Sequence, residues 1–407
     1  DEELIPYISL LSSLLGKLDT KNKSYGELSN EIYVNTGGID LDAAAYAKKD
    51  NDNIYYPKFI VSGRSIGEKN TIAMLELMNE IITETKIEDE NRIKELLQQM
   101  KSRMEMSIFD MGHSLAAGRV GSYFSAAGKY SEKLKGLEYY WFISEILKNF
   151  DQDKEEILAN LNKVYSEIFN INNLIISFTG DEEDFHVVKD NLNIISNNLN
   201  TDKWESKKYN FPKAKLNEGI LSSANVQYVS KGYNYRDLGY DYSGKMAVLS
   251  TILSRDYLHN RIRAQGGAYG AGVSFGRTGI VTTFSYRDPN LVETLNVYDG
   301  MADYIENLNL SEEDLTTYII GTMSKLDPAI TPHGKGGVAT ARYITGLTQK
   351  EVQKVRNEVL NTKLEDLRSF APLLRDTMKE NYLCVLGSET RIQENKDIFG
   401  KLVKLNK

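Results

Sequence analysis

The stretch "NRIRAQGGAYGAG" (Asn260–Gly272) sets one arginine and one tyrosine among small residues. Arg263 supplies a planar fork of N–H donors, and Tyr269 supplies a single neutral O–H donor. Six positions apart across a tight reversal, the two could face one ligand oxygen. They could polarise a peptide carbonyl and hold the oxyanion that forms from it. Gly266 and Gly267 lie between them. Glycine tolerates left-handed backbone and lets another chain approach closely; Gly266, Gly267 and the adjoining Ala268 are the expected substrate contacts. Ordinary structure explains the same letters. A cation in a last helical turn favours the helix dipole, a glycine ends a helix, and tyrosine is common in strands. Both readings stay open at this point.

No nucleophile or metal set accompanies the pair. The four histidines are His113, His186, His259 and His333. None stands in H-E-x-x-H or H-x-x-E-H. "FDMGHSLAAG" has no acidic partner at metal spacing. His186 sits in an acidic helix start, His259 on the helix leading to Arg263, and His333 in "TPHGKGG", which reads as a flexible loop. That loop falls short of a phosphate-binding loop, because its lysine is misplaced. "VSGRS" and "GYDYSGK" lack a nucleophile elbow. Cys384 is the single cysteine, in the apolar run "YLCVLG". One cysteine excludes an internal disulfide framework and a thiolate cluster, and it fits a reducing compartment.

The elements that would position these residues follow from periodicity. Glu2–Leu18 reads as a helix. Ser24–Asn35 reads as a second, opened by a Ser24/Glu27 capping box. "IDLDAAAYA" and "DNIYYPKFIVSGRSI" read as strands. Asn70–Thr85, a long segment through Ile93–Met104, "KGLEYYWFISEILKNF" and "DKEEILANLNKVYSEIF" read as helices. "NLIISFTGDEE" reads as a strand ending at Gly180. Residues 201–218 are basic, hold Pro212 and lack a period, as a linker would. Beyond them, "GILSSANVQYVSKGYNY" reads as one strand and Ser243–Arg263 as one long helix. "AYGAGVSFGRTGIVTTFSYRD" reads as a strand pair turning at Gly276–Gly279. Helices are expected over 291–308, 311–323 and 349–362, then a strand in "NYLCVLGSE" and a closing terminal helix.

The halves repeat one plan. "EIYVNTGGIDL" (Glu31–Leu41) mirrors "NRIRAQGGAYG" (Asn260–Gly270), and "NLIISFTGDEE" mirrors "NYLCVLGSET". Where the second copy has Arg263 and Tyr269, the first has Val34 and Asp40. The paired glycines are thus shared scaffold, and the arginine and tyrosine are particular to the second copy. The expected class is α+β, with one domain over 1–200, a linker over 201–218 and a second domain over 219–407.

The 407 residues suit two domains. A net charge of −8 argues against nucleic acid. No apolar run approaches the roughly 18 residues of a membrane span. The chain opens "DEELIPYISLL", without methionine and already inside a helical pattern. It therefore reads as a mature or truncated fragment with a preceding part.

Four segments in order, "SYGELSNEIYVNTGGI", "RIRAQGGAYGAG", "FSYRDPN" and "IIGTMSKLDPAITPHGKG", resemble the C-terminal half of pitrilysin/insulinase-type metallopeptidases, in the presequence-peptidase and falcilysin-like branch. The resemblance covers nearly the whole chain. It implies homologous domains, each a mainly antiparallel sheet packed with helices, and a first domain here that lacks its opening strand. It implies a zinc ion bound by an N-terminal half absent from this chain, a zinc-activated water with a glutamate as base, and none of the metal ligands here. The two halves would close around an unfolded peptide, with Arg263 and Tyr269 reaching the scissile carbonyl. This half alone would be inactive. The partners implied are that N-terminal half and the peptide, with no nucleic acid and no membrane. Low cysteine content suggests the cytoplasm, with an organelle matrix not excluded. The alternative within the family is a metal-free structural or substrate-presenting subunit.

Overall fold

The computed structural model describes residues 1–203 and 207–406. Of the expected linker, residues 204–206 lie outside the described residues. The first half opens with helix α1 (Ile5–Leu14), whose Ile5, Leu10, Leu11 and Leu14 are fully buried. Helix α2 (Tyr25–Asn35) starts at the expected capping box. The Ser24 hydroxyl accepts from Glu27 N at 3.3 Å, and Ser24 N donates to the Glu27 carboxylate at 2.9 Å. After the paired glycines, strands β1 (Ile39–Lys48) and β2 (Asn51–Gly63) form an antiparallel hairpin from Ile39↔Gly63 to Lys48↔Asn51. Helices α3 (Glu68–Glu84), α4 (Glu90–Ser122), α5 (Ala126–Lys135), α6 (Leu137–Lys148) and α7 (Phe150–Ile168) follow. The apolar faces of α3, α4, α6 and α7 meet α1 in one core that includes Leu11, Ile81, Leu97, Ile143 and Leu161, while Tyr130 and Leu134 of α5 pack with Ile5 in a smaller one.

One expected strand fails here. Residues 174–179 are extended coil, followed by α8 (Glu182–Asp190) and α9 (Asn193–Ser196). Leu174, Ile175 and Ile176 are 39–50% exposed. Among the described residues no strand lies beside them, and an apolar run without a ladder partner cannot satisfy its backbone as a strand.

The second half carries the main sheet. Its strands are β3 (Glu218–Ser222), β4 (Gln227–Asn234), β5 (Gly270–Phe275), β6 (Ile280–Tyr286), β7 (Tyr382–Ser388) and β8 (Lys401–Lys404). Their order is β5-β6-β4-β7-β3-β8. The β5–β6, β6–β4 and β4–β7 pairs are antiparallel, and β3 lies parallel to both β7 and β8. The class is therefore α+β with an antiparallel-dominated sheet, as expected. The single strand expected over 219–235 is two strands, with β7 between them in the sheet. The expected closing helix is short, α18 (Glu389–Glu394), and the described chain ends in β8.

Between strands the helices are α10 (Lys245–Ile252), α11 (Val292–Asp299), α12 (Met301–Glu306), α13 (Glu312–Leu326), α14 (Pro332–Thr345), α15 (Gln349–Leu360), α16 (Leu364–Arg368) and α17 (Ala371–Lys379). The "HGKGG" segment belongs to α14 and is not a loop. Thr331 caps it by accepting from Gly334 N at 3.2 Å, and Pro332 is preorganised for the first turn. The glycines hid that start signal.

Helix α4 joins the halves. Its C-terminal part lies on the six-stranded sheet, where Ile108, Ala116, Val120 and Tyr123 pack with Tyr228, Tyr233, Cys384 and Leu386. Each such aliphatic burial contributes about 2 kcal/mol. Gly112 makes the approach possible, since a Cβ there would sit 2.5 Å from the Tyr228 ring. The Tyr228 hydroxyl donates to the Phe109 carbonyl. A side chain that occupies a helical carbonyl bends the helix, and Met111 just beyond has φ −112°, ψ 15°.

Candidate functional site

The helix expected over Ser243–Arg263 changes winding on its way to the arginine. It is α-helical to Ile252 and π-helical from Leu253 to Gln265. Wide π turns are rare and cluster at functional sites. Leu258 and Ile262 anchor this segment in the core, and Arg263 stands exposed on its last turn. Gly267 N then donates to Arg263 O at 2.9 Å, and Ala268 N to Ile262 O at 3.0 Å, which closes the reversal into β5.

The two glycines divide the work. A Cβ at Gly266 would meet Ile262 O at 2.6 Å, so that position needs space, whereas Gly267 has φ +81° and needs left-handed backbone. The first half repeats this division. A Cβ at Gly37 would lie 3.2 Å from Arg64 Cβ, and Gly38 has φ +113°. Both copies run helix, Gly-Gly, strand and antiparallel hairpin. At the positions of interest they part. Val34 is exposed, and Asp40 is paired with Arg64 at 3.2 Å. Arg263 and Tyr269 are both exposed, Tyr269 at 68%. Among the described residues neither side chain has a hydrogen bond or ion pair.

The expected substrate contacts separate. Gly266 and Gly267 lie at the surface side of the turn. Ala268 is 4% exposed, with its methyl in the core of the second half. Alternation along the entering strand turns Ala268 inward and Tyr269 outward, so the Ala268 side chain belongs to the scaffold.

The segment "YRDPN" (Tyr286–Asn290) braces the turn from the other strand. Tyr269 N donates to Tyr286 O at 2.9 Å, and the two rings meet edge to face at 5.7 Å. Arg287 has φ +48°, which costs a side-chain-bearing residue about 1 kcal/mol. Its guanidinium lies over the Tyr286 ring and 3.3 Å from Asp110 on α4. Asp288 is fully buried. Its carboxylate accepts from Thr294 Oγ1 at 2.7 Å and Asn290 N at 2.9 Å, and its backbone exchanges two bonds with Gln227. Burial pushes its pKa up, against the pull of Thr294. Asn290 Nδ2 donates to Gly266 O at 2.6 Å. Sequence reasoning used these letters only as a marker of resemblance. An Asp-Pro-Asn run after a strand is itself a turn signal.

His113, on α4, lies beneath this hairpin with its ring 4.9 Å from Tyr286 and 5.4 Å from Phe284. Burial lowers its pKa, and Nδ1 is buried without a partner. His259 and His333 are exposed on separate elements. Among the described residues no group of three or more His, Cys, Asp or Glu could hold a metal ion. Nor is any helix among the described residues long and apolar enough to cross a membrane.

Comparison with known proteins identifies the family of the chain. A family model for the region associated with M16 peptidases of subfamily C matches residues 1–146, and the "PreP C-terminal domain" model matches residues 217–389. Protein HypA of Clostridium perfringens is 41% identical over 98% of this chain and 41% of its own length. Presequence protease 1, chloroplastic/mitochondrial, of Arabidopsis thaliana is 31% identical over 94% of this chain and 35% of its own. The chain thus spans about two fifths of the length of these relatives. Pitrilysin superposes with a TM-score of 0.59 at 12% identity, over 95% of this chain and 38% of that one. Two matched family models, two relatives aligned over nearly the whole chain and a shared fold agree: the chain belongs to the M16 peptidase family, as a C-terminal half.

Proposed function

We propose that this chain is the half of a two-half zinc metalloendopeptidase that holds the peptide carbonyl, while the metal sits on the other half. The carrying observation is the free state of Arg263 and Tyr269. Both are exposed and without hydrogen-bond or ion-pair partners among the described residues, on a turn fixed at both ends. A helix end needs neither residue, as Val34 and Asp40 illustrate in the first copy. In this reading the Arg263 guanidinium and the Tyr269 hydroxyl donate to the scissile carbonyl oxygen, and hold it more strongly as negative charge develops there. Gly266 and Gly267 leave room for the substrate backbone. The substrates are unstructured peptides, enclosed when the halves close.

The same reading divides the chain into domains over 1–200 and 219–407 with a linker between. The matched ranges 1–146 and 217–389 support that division. It keeps the protein in the cytoplasm or an organelle matrix, and it makes the 407-residue chain inactive alone.

The test is Tyr269→Phe in the full-length protein. Loss of one oxyanion donor should lower kcat by about tenfold or more, with KM little changed. A change confined to KM would move the phenol to ground-state binding. An unchanged kcat/KM would remove Tyr269 from the reaction, and zinc-dependent turnover by the isolated chain would overturn the division of labour.

A further inference from the structure

We infer that Asn290 is a positioning residue, which sets the separation of Arg263 and Tyr269 by clamping the turn between them. The inference rests on the functional reading above and extends it to a residue that touches no substrate. Two glycines in succession leave the backbone between Arg263 and Tyr269 with more freedom than any other pair would. Backbone bonds hold its N–H groups, Gly267 N to Arg263 O, Ala268 N to Ile262 O and Tyr269 N to Tyr286 O. The Gly266 carbonyl is held differently. Asn290 Nδ2 to Gly266 O, at 2.6 Å, is the only side-chain hydrogen bond to the backbone of residues 263–270 among the described residues.

Asn290 is itself held from the core. Its own N–H donates to Asp288 Oδ1, the other Asp288 oxygen takes Thr294 Oγ1, and the Asp288 backbone is laddered to Gln227 at the start of β4. Pro289 lies between, with its Cγ 3.6 Å from the point where a Cβ on Gly267 would stand. A continuous path thus runs from the central sheet through Asp288 and Asn290 to the Gly266 carbonyl. Its last link is one amide donor. Alanine removes that donor and leaves the rest, and aspartate keeps the shape while replacing the donor by an acceptor.

Two measurements test this. The first uses Asn290→Ala and Asn290→Asp in the full-length protein on an unstructured fluorogenic peptide, alone and combined with Tyr269→Phe. Misplacing the pair should lower kcat about tenfold with KM within about threefold, and the loss should shrink to under about threefold in the Tyr269→Phe background. Full additivity, or a loss in KM alone, overturns the positioning role. The second is amide hydrogen exchange on the chain itself, independent of turnover. Asn290→Ala should speed exchange of residues 266–269 by about tenfold while core amides stay unchanged. Unchanged exchange there overturns the clamp. If Tyr269→Phe is silent in the assay while exchange responds as expected, the functional reading fails and the clamp stands.

Discussion

The Arg119 guanidinium grips both oxygens of Glu218, Nε to Oε2 at 2.6 Å and Nη2 to Oε1 at 3.1 Å, across the junction of the two halves. Arg119 lies on α4 and Glu218 opens β3. Glu138 at 2.6 Å and Glu132 at 3.4 Å complete the cluster, and the Tyr123 hydroxyl donates to Glu218. Removing the cation leaves buried carboxylates uncompensated. Arg119→Met should cost about 3–5 kcal/mol in denaturant unfolding, and the double variant with Glu218→Met should cost less than the single. A single variant of wild-type stability would show the cluster to be energetically idle.

Gly112→Ala should destabilise by about 2 kcal/mol, because the added methyl lands in the Tyr228 ring and the helix must lift from the sheet. Gly118, on the same helix, has nothing within 4 Å of its Cβ position. Gly118→Ala should raise stability by up to about 1 kcal/mol through helix propensity alone. Equal effects at the two sites in a thermal melt would refute the close-packing account.

The Cys384 thiol should be inert in the native chain. It is fully buried on β7, and burial pushes its pKa far up, with the nearby Glu218 charge acting the same way. The thiolate is the reactive species. A thiol reagent should give no label in buffer and one equivalent in denaturant. Rapid native labelling would contradict the packing of α4 on the sheet.

Glu351 ties the β1–β2 turn to α15. It meets Lys49 at 2.7 Å and Arg277 at 3.2 Å, and it caps its helix with Thr348. Its pKa is lowered to about 2 by the bond from Lys49 and those from Thr348. A lowered folded-state pKa stabilises above the unfolded value and loses that stabilisation as pH falls through the folded one. The window is therefore from roughly pH 4.5 down to about 2. Glu351→Gln, which keeps the cap, should flatten the stability profile across that window. Parallel profiles for the two proteins would exclude the ion pair as a contributor.

Local signals carried far in this chain. The Ser24 box, the Gly-Gly turns and the Gly276–Gly279 hairpin are written in residues adjacent in sequence, and each folds as those residues dictate. What failed was non-local. Leu174–Phe178 has strand composition, but strand formation needs a neighbour that no local window contains. The π winding after Ile252 keeps the letters of an ordinary helix. At the site, Arg263 and Tyr269 stood out because the first copy lacks them. Asn290 did not, since its role depends on a carbonyl 24 positions away. The inward turn of the Ala268 methyl follows from strand alternation, which a reading of the glycines alone does not supply.

The crossing of α4 over the second half's sheet has a mechanical consequence. With Tyr228 bonded at its kink, Arg119 clamped to β3 and Lys49 tethered to α15, the first half is tied to the second at three separate places. A load applied to the first half therefore reaches, through α4, the same sheet whose outer hairpin carries the turn of Arg263 and Tyr269.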